Sequence, residues 1–409
     1  MVKKELKAVI LAGGEGRELF PLTQTKPKPM IKLLGKPILQ YIIEELKTLG
    51  VTKILIVTGY KGEQIKNYFK KGSEFGLSIS YAKQSKENDI KSAFLAAKKY
   101  LANDNEFLLL FSDIIAEKGL IQRTLNAYEN TQADMAMALT LKGDTGNFGV
   151  VDIDYKGYVK SVGLATETDT KSNYIDAGCF VLKTTIFDEL ETQPNIPKSI
   201  NARIKKGDKV IAAIWEKEWI DIGKPWNIIE ANRLLLSKLT ESRIASNVTI
   251  ESNVVLKNVV IIDENTIISS GTVLNGPLYI GPNTYIGNNV LLRDHTSIDS
   301  NSLIGFGSEI KNSVLFSGTK IYRLCYVGDS VVGENTILST NVMTINTETP
   351  IKSIKMEVNG HMVDTGFTKL GAIIGDNSIV GVNSMIFPGR KIAAGSIIPP
   401  GTHVQENVI

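Results

Sequence analysis

The sequence predicts an α/β chain in two parts: a doubly wound, Rossmann-like sheet domain over residues 1–240, then a left-handed parallel β-helix over residues 241–409. Two observations carry this. Short apolar runs alternate with helical patterns up to about residue 235, as in a mostly parallel sheet with helices on both faces. Beyond that point an aliphatic or aromatic residue recurs every sixth position, a period that suits neither a helix nor a lone strand. It suits a triangular coil that turns every six residues and stacks its inward side chains into one core.

In order along the chain, Leu6 to Leu11 reads as a buried strand ending in glycines. Pro37 to Leu49 puts Leu39, Ile42, Ile43, Leu46 and Leu49 on one helical face and stops at Gly50. Lys53–Thr58 reads as a strand, Glu63–Phe69 as a helix, Leu77–Tyr81 as a strand and 90–101 as a helix. Phe107–Phe111, an unbroken FLLLF, reads as a strand buried on both faces. In such sheets ligands sit beyond the carboxyl ends of the strands, which puts Gly13-Gly14 and Asp113 on one edge.

The six-residue ladder runs Ile250, Leu256, Ile262, Ile268, Leu274, Ile280, Ile286, Leu292, Ile298, Ile304, Ile310 and Phe316. With 43% apolar residues, twelve such hits arise by chance with a probability on the order of 10⁻⁵. The ladder resumes in a new phase at Ile374 and runs to Val404, so residues 340–368 read as an inserted loop.

Composition narrows the function classes. A net charge of +3 from 46 basic and 43 acidic residues, interspersed, gives no footprint for nucleic acid or an anionic membrane. No stretch approaches the ~20 apolar residues of a spanning helix. Two distant cysteines, Cys179 and Cys325, exclude a disulfide framework and suit a reducing cytoplasm. Three histidines and no Cys/His cluster give no sign of zinc.

Leu11-Ala12-Gly13-Gly14-Glu15-Gly16 follows a strand, where backbone amides can cradle phosphate. It lacks the Gly-Lys-Ser/Thr of a Walker A loop, and Leu19 stands where a dinucleotide fingerprint has its third glycine. The longer string from 11 to 37, LAGGEGRELFPLTQTKPKPMIKLLGKP, resembles the signature of the sugar-1-phosphate nucleotidylyltransferases. Asp113, Phe148-Gly149-Val150-Val151, Asp176-Ala177-Gly178 and Trp219-Ile220-Asp221-Ile222-Gly223-Lys224-Pro225 resemble further motifs of that family, in its order. The resemblance extends to bifunctional members that add a hexapeptide-repeat acyltransferase domain.

The resemblance implies transfer of a nucleotidyl group to a sugar-1-phosphate with Mg²⁺ as cofactor. It assigns Asp113 and Asp221 to the metal, Lys28 and Arg17 to phosphate charge, and Leu11, Ala12, Gly13, Gly14, Gly16 and Gln84 to the nucleotide. Gly149 and Asp176 fall to the sugar phosphate. The chemistry suits these residues: an already ionised phosphate oxygen attacks the α-phosphorus in line, so catalysis is charge neutralisation and alignment. Each also has a plain structural role open to it: Asp113 capping a helix, Asp221 starting one at Pro225, Lys28 solvated in its Lys-Pro-Lys-Pro run.

The chain departs from the family at three motifs. Glu18 stands where the family has a triphosphate-clamping arginine, leaving neighbouring Arg17 to take over. Asp89 replaces a glycine that approaches the base, and the sugar-phosphate Glu-Lys-Pro falls near Ala165-Thr166-Glu167, with Lys160 or Lys171 as replacement cations. In the β-helix, Tyr326, Asn346 and Lys369 match acyltransferase positions, but Arg323 stands where that half has its histidine base. The expectation is a cytoplasmic nucleotidylyltransferase held as a homotrimer by its β-helix. A regulatory paralogue that binds nucleotide-sugar without turnover, and assembles with an active relative, is the second reading; an amino-sugar-phosphate acetyltransferase is the third.

Overall fold

A computed structural model describes residues 6–85, 89–142, 149–164 and 172–409. The chain divides into two compact units: one holds the chain up to Glu15, Pro27–Met30 and Ile38–Asp221; the other holds Gly16–Lys26, Ile31–Pro37 and Ile222–Ile409.

In the first unit the strands are β1 (Ala8–Ala12), β2 (Lys53–Thr58), β3 (Ser78–Lys83), β4 (Glu106–Phe111), β5 (Ile114–Ala116) and β6 (Met135–Leu141). They are followed by β7 (Gly149–Ile153), β8 (Val159–Leu164), β9 (Tyr174–Lys183), β10 (Val210–Trp215) and β11 (Trp219–Asp221). Helices α1 (Ile38–Thr48), α2 (Gly62–Phe69), α3 (Ile90–Leu95), α4 (Leu120–Glu129), α5 (Ile186–Thr192) and α6 (Ile196–Lys205) connect them.

The main sheet runs β8-β7-β9-β4-β1-β2-β3, with β6 and β10 joined through β9. Alternation decides which face each residue covers. On β1, Ala8, Ile10 and Ala12 enter one core cluster and Val9 the other; on β4, Leu108 and Leu110 part from Phe107 and Leu109 in the same way. FLLLF is unbroken because both faces are covered. Each fully buried aliphatic side chain there stabilises the unit by about 1.5–3 kcal/mol.

Two expectations need correction. The sheet is mixed rather than mostly parallel, because β9 runs antiparallel to both β4 and β6. The helix expected over 90–101 ends as an α-helix at Leu95 and continues in turns, with Ala97 donating to Phe94 O and Tyr100 to Ala97 O.

The second unit contains the left-handed β-helix: three parallel eight-stranded sheets, each strand pairing with the one a coil further along, as Ile262 with Ile280 and Ile280 with Ile298. Its inward ladder is one continuous core from Ile262 to Val404. Corners are turned by residues at positive φ, mostly asparagine, which adopts this conformation because its short amide bonds locally. Successive corner asparagines also bond one another, Asn247 Nδ2 to Asn265 Oδ1 at 2.7 Å and Asn265 Nδ2 to Asn283 Oδ1 at 3.1 Å.

The ladder differs from its expected form at both ends. Ile250 and Leu256 are 38% and 39% exposed, because they lie in the first coil, where no earlier strand pairs with theirs. At the other end the core position is Leu315 rather than Phe316. The sides Ile310→Leu315 and Val327→Val332 are one residue short, which shifts the phase without breaking the stack. The coil therefore continues through Met343–Thr344, and the insertion begins after Thr344 rather than at 340. It carries an antiparallel hairpin, Lys355–Val358 with His361–Asp364, around Asn359-Gly360. A helix, α7 (Asn227–Ser237), packs on this unit, with Asn232 Nδ2 donating to His295 O at 2.7 Å.

Candidate active site

The first unit assembles the site at the carboxyl ends of β1 and β4. After β1 the chain turns at Gly13, whose carbonyl accepts from Tyr60 N at 3.1 Å and Gln84 Nε2 at 3.3 Å. Gln84 is buried and fills the space beside this turn: a Cβ on Gly13 would lie 1.9 Å from its Oε1. No side chain is tolerated there. Gly14, by contrast, is exposed with nothing within 4 Å of a built Cβ, leaving its backbone open to a ligand. Leu11 belongs to β1, paired with Val57 and Phe111.

Asp113 follows β4, and Lys28 Nζ lies 2.7 Å from its Oδ2. Lys28 is itself buried in a short turn of helix (Lys28–Met30). Asp221 arrives by strand pairing: β11 runs antiparallel to β5 with Asp221 opposite Ile114, the residue after Asp113. Asp176 comes from a bulge in β9, where the register slips between Asp176 and Phe180. Gly178 makes the bulge possible, since it sits at φ +73° and a Cβ there would press on Phe111 and Ile114. Its N–H donates to Asp176 Oδ1 at 3.0 Å, and Trp219 Nε1 donates to Ala177 O at 3.1 Å. Gly149 lies so close that a Cβ would come 3.0 Å from Asp176 Oδ2.

Burial pushes the Asp176 carboxyl up to about 6; the Gly178 N–H offsets part of this, and the charge of Asp113 adds to it. Asp113 and Asp176 therefore feel one another.

The donor set suits a hard cation. Asp221 on β11 pairs with Ile114, the residue after Asp113, which brings two carboxylate-bearing residues to neighbouring positions. That is the pattern expected of Mg²⁺, which takes one or two carboxylates and completes its shell with substrate phosphates and water.

Of the other expected site residues, Gly16 and Arg17 fall in the Gly16–Lys26 segment of the second unit, where Gly16 O accepts from Thr23 Oγ1 at 2.6 Å. Asp89 caps α3, accepting from Lys91 N at 3.0 Å. Lys160 pairs with Asp152 at 2.9 Å. Phe148, Glu167 and Lys171 lie outside the described residues.

In the β-helix, Asn346 Nδ2 donates to Asp329 Oδ2 at 2.5 Å. Tyr326 has Asn346 as a hydrogen-bond partner, and its hydroxyl is pushed up by burial and by the charges of Asp329 and Glu309, against which Asn346 and Arg293 act. None of these is a histidine. Arg323 and Lys369 are exposed. His361 is exposed on the inserted hairpin, and His295 bonds Ser237 at 3.0 Å.

Sequence reasoning gave no role to Lys26, which is buried and pairs with Asp376 at 2.7 Å and Glu334 at 3.0 Å. No local pattern reveals a partner so far along the chain.

The match that decides the family is the nucleotidyl transferase model, which covers residues 7–238. The chain belongs to the nucleotidyl transferase family. The GMPPB C-terminal domain model matches residues 274–365. A Methanocaldococcus jannaschii protein described as bifunctional protein GlmU is 35% identical, over 98% of this chain and 96% of its own. A Sulfurisphaera tokodaii protein described as a bifunctional sugar-1-phosphate nucleotidylyltransferase/acetyltransferase is 34% identical, over 98% of each. Among solved structures, a putative glucose-1-phosphate thymidylyltransferase from Bacillus anthracis aligns with a TM-score of 0.52 at 23% identity, over 58% of this chain and 98% of its own. That likeness concerns the fold. Among the described residues, no helix is long and apolar enough to cross a membrane.

Proposed function

We propose that the chain joins a nucleoside triphosphate to a sugar-1-phosphate, giving a nucleotide-sugar and pyrophosphate. The observation that carries this reading is the convergence of Lys28, Asp113 and Asp221 beyond β4, beside the open backbone at Gly14. A sugar-phosphate oxygen bonds to the α-phosphorus as the α–β bridging P–O bond breaks. Lys28 is placed to neutralise phosphate charge, and Gly14 offers backbone N–H groups without a side chain in the way. Asp113 and Asp221 would hold Mg²⁺, which supplies charge stabilisation when bound. Gly149 and Asp176 stand as the sugar-phosphate side of the site, with Leu11, Ala12, Gly13 and Gln84 shaping the nucleotide side.

Pyrophosphate release, measured with Mg²⁺ across panels of nucleoside triphosphates and sugar-1-phosphates, tests this. Substrate-dependent release abolished in Asp113→Asn supports the enzyme. A folded protein that binds nucleotide-sugar and releases nothing supports a sensing paralogue. One observation favours that second reading: Asp89, where the family has glycine, is engaged in capping α3.

The β-helix we read as the oligomerisation element of a homotrimer. On one sheet exposed outward positions pair in register as Ile267 with Tyr285 and Ile379 with Ile397, two apolar patches separated by Leu303, Lys320 and Ile337, and association covers patches of this kind. Acetyl transfer stays the third reading: a relative described as an acetyltransferase favours it, and Arg323, where that half of the family has its histidine base, counts against it.

A further inference from the structure

The sequence contains two Asn-Gly pairs, Asn275-Gly276 and Asn359-Gly360, and the fold treats them in opposite ways. Asn275 ends a strand of the β-helix, paired in register with Lys257 on one side and Arg293 on the other. Its Oδ1 accepts from Asn258 Nδ2 at 3.0 Å, and the Gly276 N–H donates to Lys257 O at 2.9 Å. A Cβ on Gly276 would lie 2.0 Å from Val259 O, so the backbone there is boxed in. Asn359-Gly360 is the turn of the inserted hairpin, with Val358 opposite His361. Both turn residues are exposed, at φ +50° and +80°. Nothing lies within 4 Å of a Cβ built on Gly360. Among the described residues, neither the Asn359 side-chain amide nor the Gly360 N–H has a hydrogen-bond partner. Ile354 and Met356 are buried and hold the base of the hairpin. Its two strands pair with none of the three large sheets, and a lone two-stranded ribbon opens easily at its tip.

We propose that Asn359 is a site of spontaneous conversion to aspartate and isoaspartate, while Asn275 is protected by the fold. The Gly360 nitrogen bonds to Asn359 Cγ as the Cγ–Nδ2 bond breaks, and its proton leaves with the departing group as ammonia. The five-membered succinimide so formed then takes up water. Breaking the bond from the ring nitrogen to Cγ leaves an ordinary aspartate. Breaking its bond to the main-chain carbonyl carbon routes the chain through Cβ, as isoaspartate. Glycine favours the closure, because no Cβ shields its nitrogen and its backbone rotates freely. At Gly276 that nitrogen must first give up its hydrogen bond. Isoaspartate lengthens the main chain of a two-residue turn by one carbon, which Val358 and His361 cannot follow in register. Glu357, two residues before the turn, accepts from Asn407 Nδ2 at 3.0 Å, so lost register at the tip loosens the hairpin's hold on the C-terminal segment. The reaction needs only water and is independent of the nucleotidyl-transfer reading.

The test is peptide mapping by mass spectrometry after the folded full chain is aged in mildly alkaline buffer, with isoaspartate labelled by an isoaspartate methyltransferase. The expected result is loss of the Asn359 amide at least about tenfold faster than loss of the Asn275 amide, since one hydrogen bond must open there first. Isoaspartate is expected in the hairpin peptide. The same chain aged in concentrated urea supplies the control: with both segments unfolded, the two rates should converge. Asn359→Gln, whose longer side chain closes a ring far more slowly, should remove the fast site and leave Asn275 unchanged. Conversion at Asn275 as fast as at Asn359 in the folded chain, or none at Asn359, would overturn the proposal. A difference that persists undiminished in urea would assign the preference to flanking sequence and overturn the part played by the fold.

Discussion

Lys28 Nζ sits 2.7 Å from Asp113 Oδ2, so the cation and the carboxylate proposed for phosphate and metal neutralise one another before any substrate arrives. A metal ion without nucleotide must compete with that ammonium. Mg²⁺ alone is therefore expected to bind weakly, and more tightly in Lys28→Met, as read by calorimetry.

The same pair sets the catalytic losses. Lys28→Met and Asp113→Asn are each expected to lower the rate of pyrophosphate release by about 10²–10³-fold, the usual consequence of removing one preorganised charge. Lys28 is buried and Asp113 is 25% exposed, so a drop in the thermal unfolding temperature is expected alongside the loss of rate.

Asp176 predicts a pH dependence. Its folded pKa of about 6 lies above that of an unfolded aspartate. Below pH ~4 both states are protonated and the group is neutral in its effect. Stability attributable to it falls as pH rises from ~4 to about 6, then stays low, by roughly 1–3 kcal/mol. Asp176→Asn, which still accepts the Gly178 N–H, should flatten that slope and raise the unfolding temperature at pH 8. Urea titrations at pH 4.5 and pH 8 check this; an unchanged slope would refute it.

Breaking the buried Lys26–Asp376 pair with Lys26→Met leaves a carboxylate with Thr25 and the Glu334 N–H as its hydrogen-bond donors. The expected cost is about 3 kcal/mol. Adding Asp376→Asn should recover part of it, measured by denaturant unfolding.

Two isoleucines of the ladder should part company. Ile304 is fully buried and Ile250 is 38% exposed, so Ile304→Ala is expected to cost about 2–5 kcal/mol. Ile250→Ala should cost under about 1 kcal/mol. Equal effects would contradict the coil register.

Much of the fold was legible because its signals are local. FLLLF and the six-residue ladder each state their own environment. The reading slipped where structure depends on distant partners or on a deletion. Leu315 and Val332 each fall one residue early, so a strict period loses phase while the stack continues. The antiparallel course of β9 leaves no mark in an apolar run, since a strand buried on both faces looks alike in either direction. The hairpin at Asn359-Gly360 did carry a signal, a dipeptide suited to consecutive positive φ, hidden inside what read as loop.

At the proposed site, Asp113, Asp221 and Lys28 stand out through family motifs; Lys28 meets Asp113, and Asp221 pairs with the residue after it. Asp176's raised pKa could not be read from sequence, because it arises from a bulge and from burial.

The second unit is built from both ends of the polypeptide. Thr25 bonds Asp376, a partner 351 positions later. At a synthesis rate of about 5–20 residues per second, the Gly16–Lys26 segment emerges from the ribosome and waits roughly 20–70 seconds before that partner exists. Lys26 can meet Phe316 and Glu334 earlier, but its bond to Asp376 is made only near the end of synthesis.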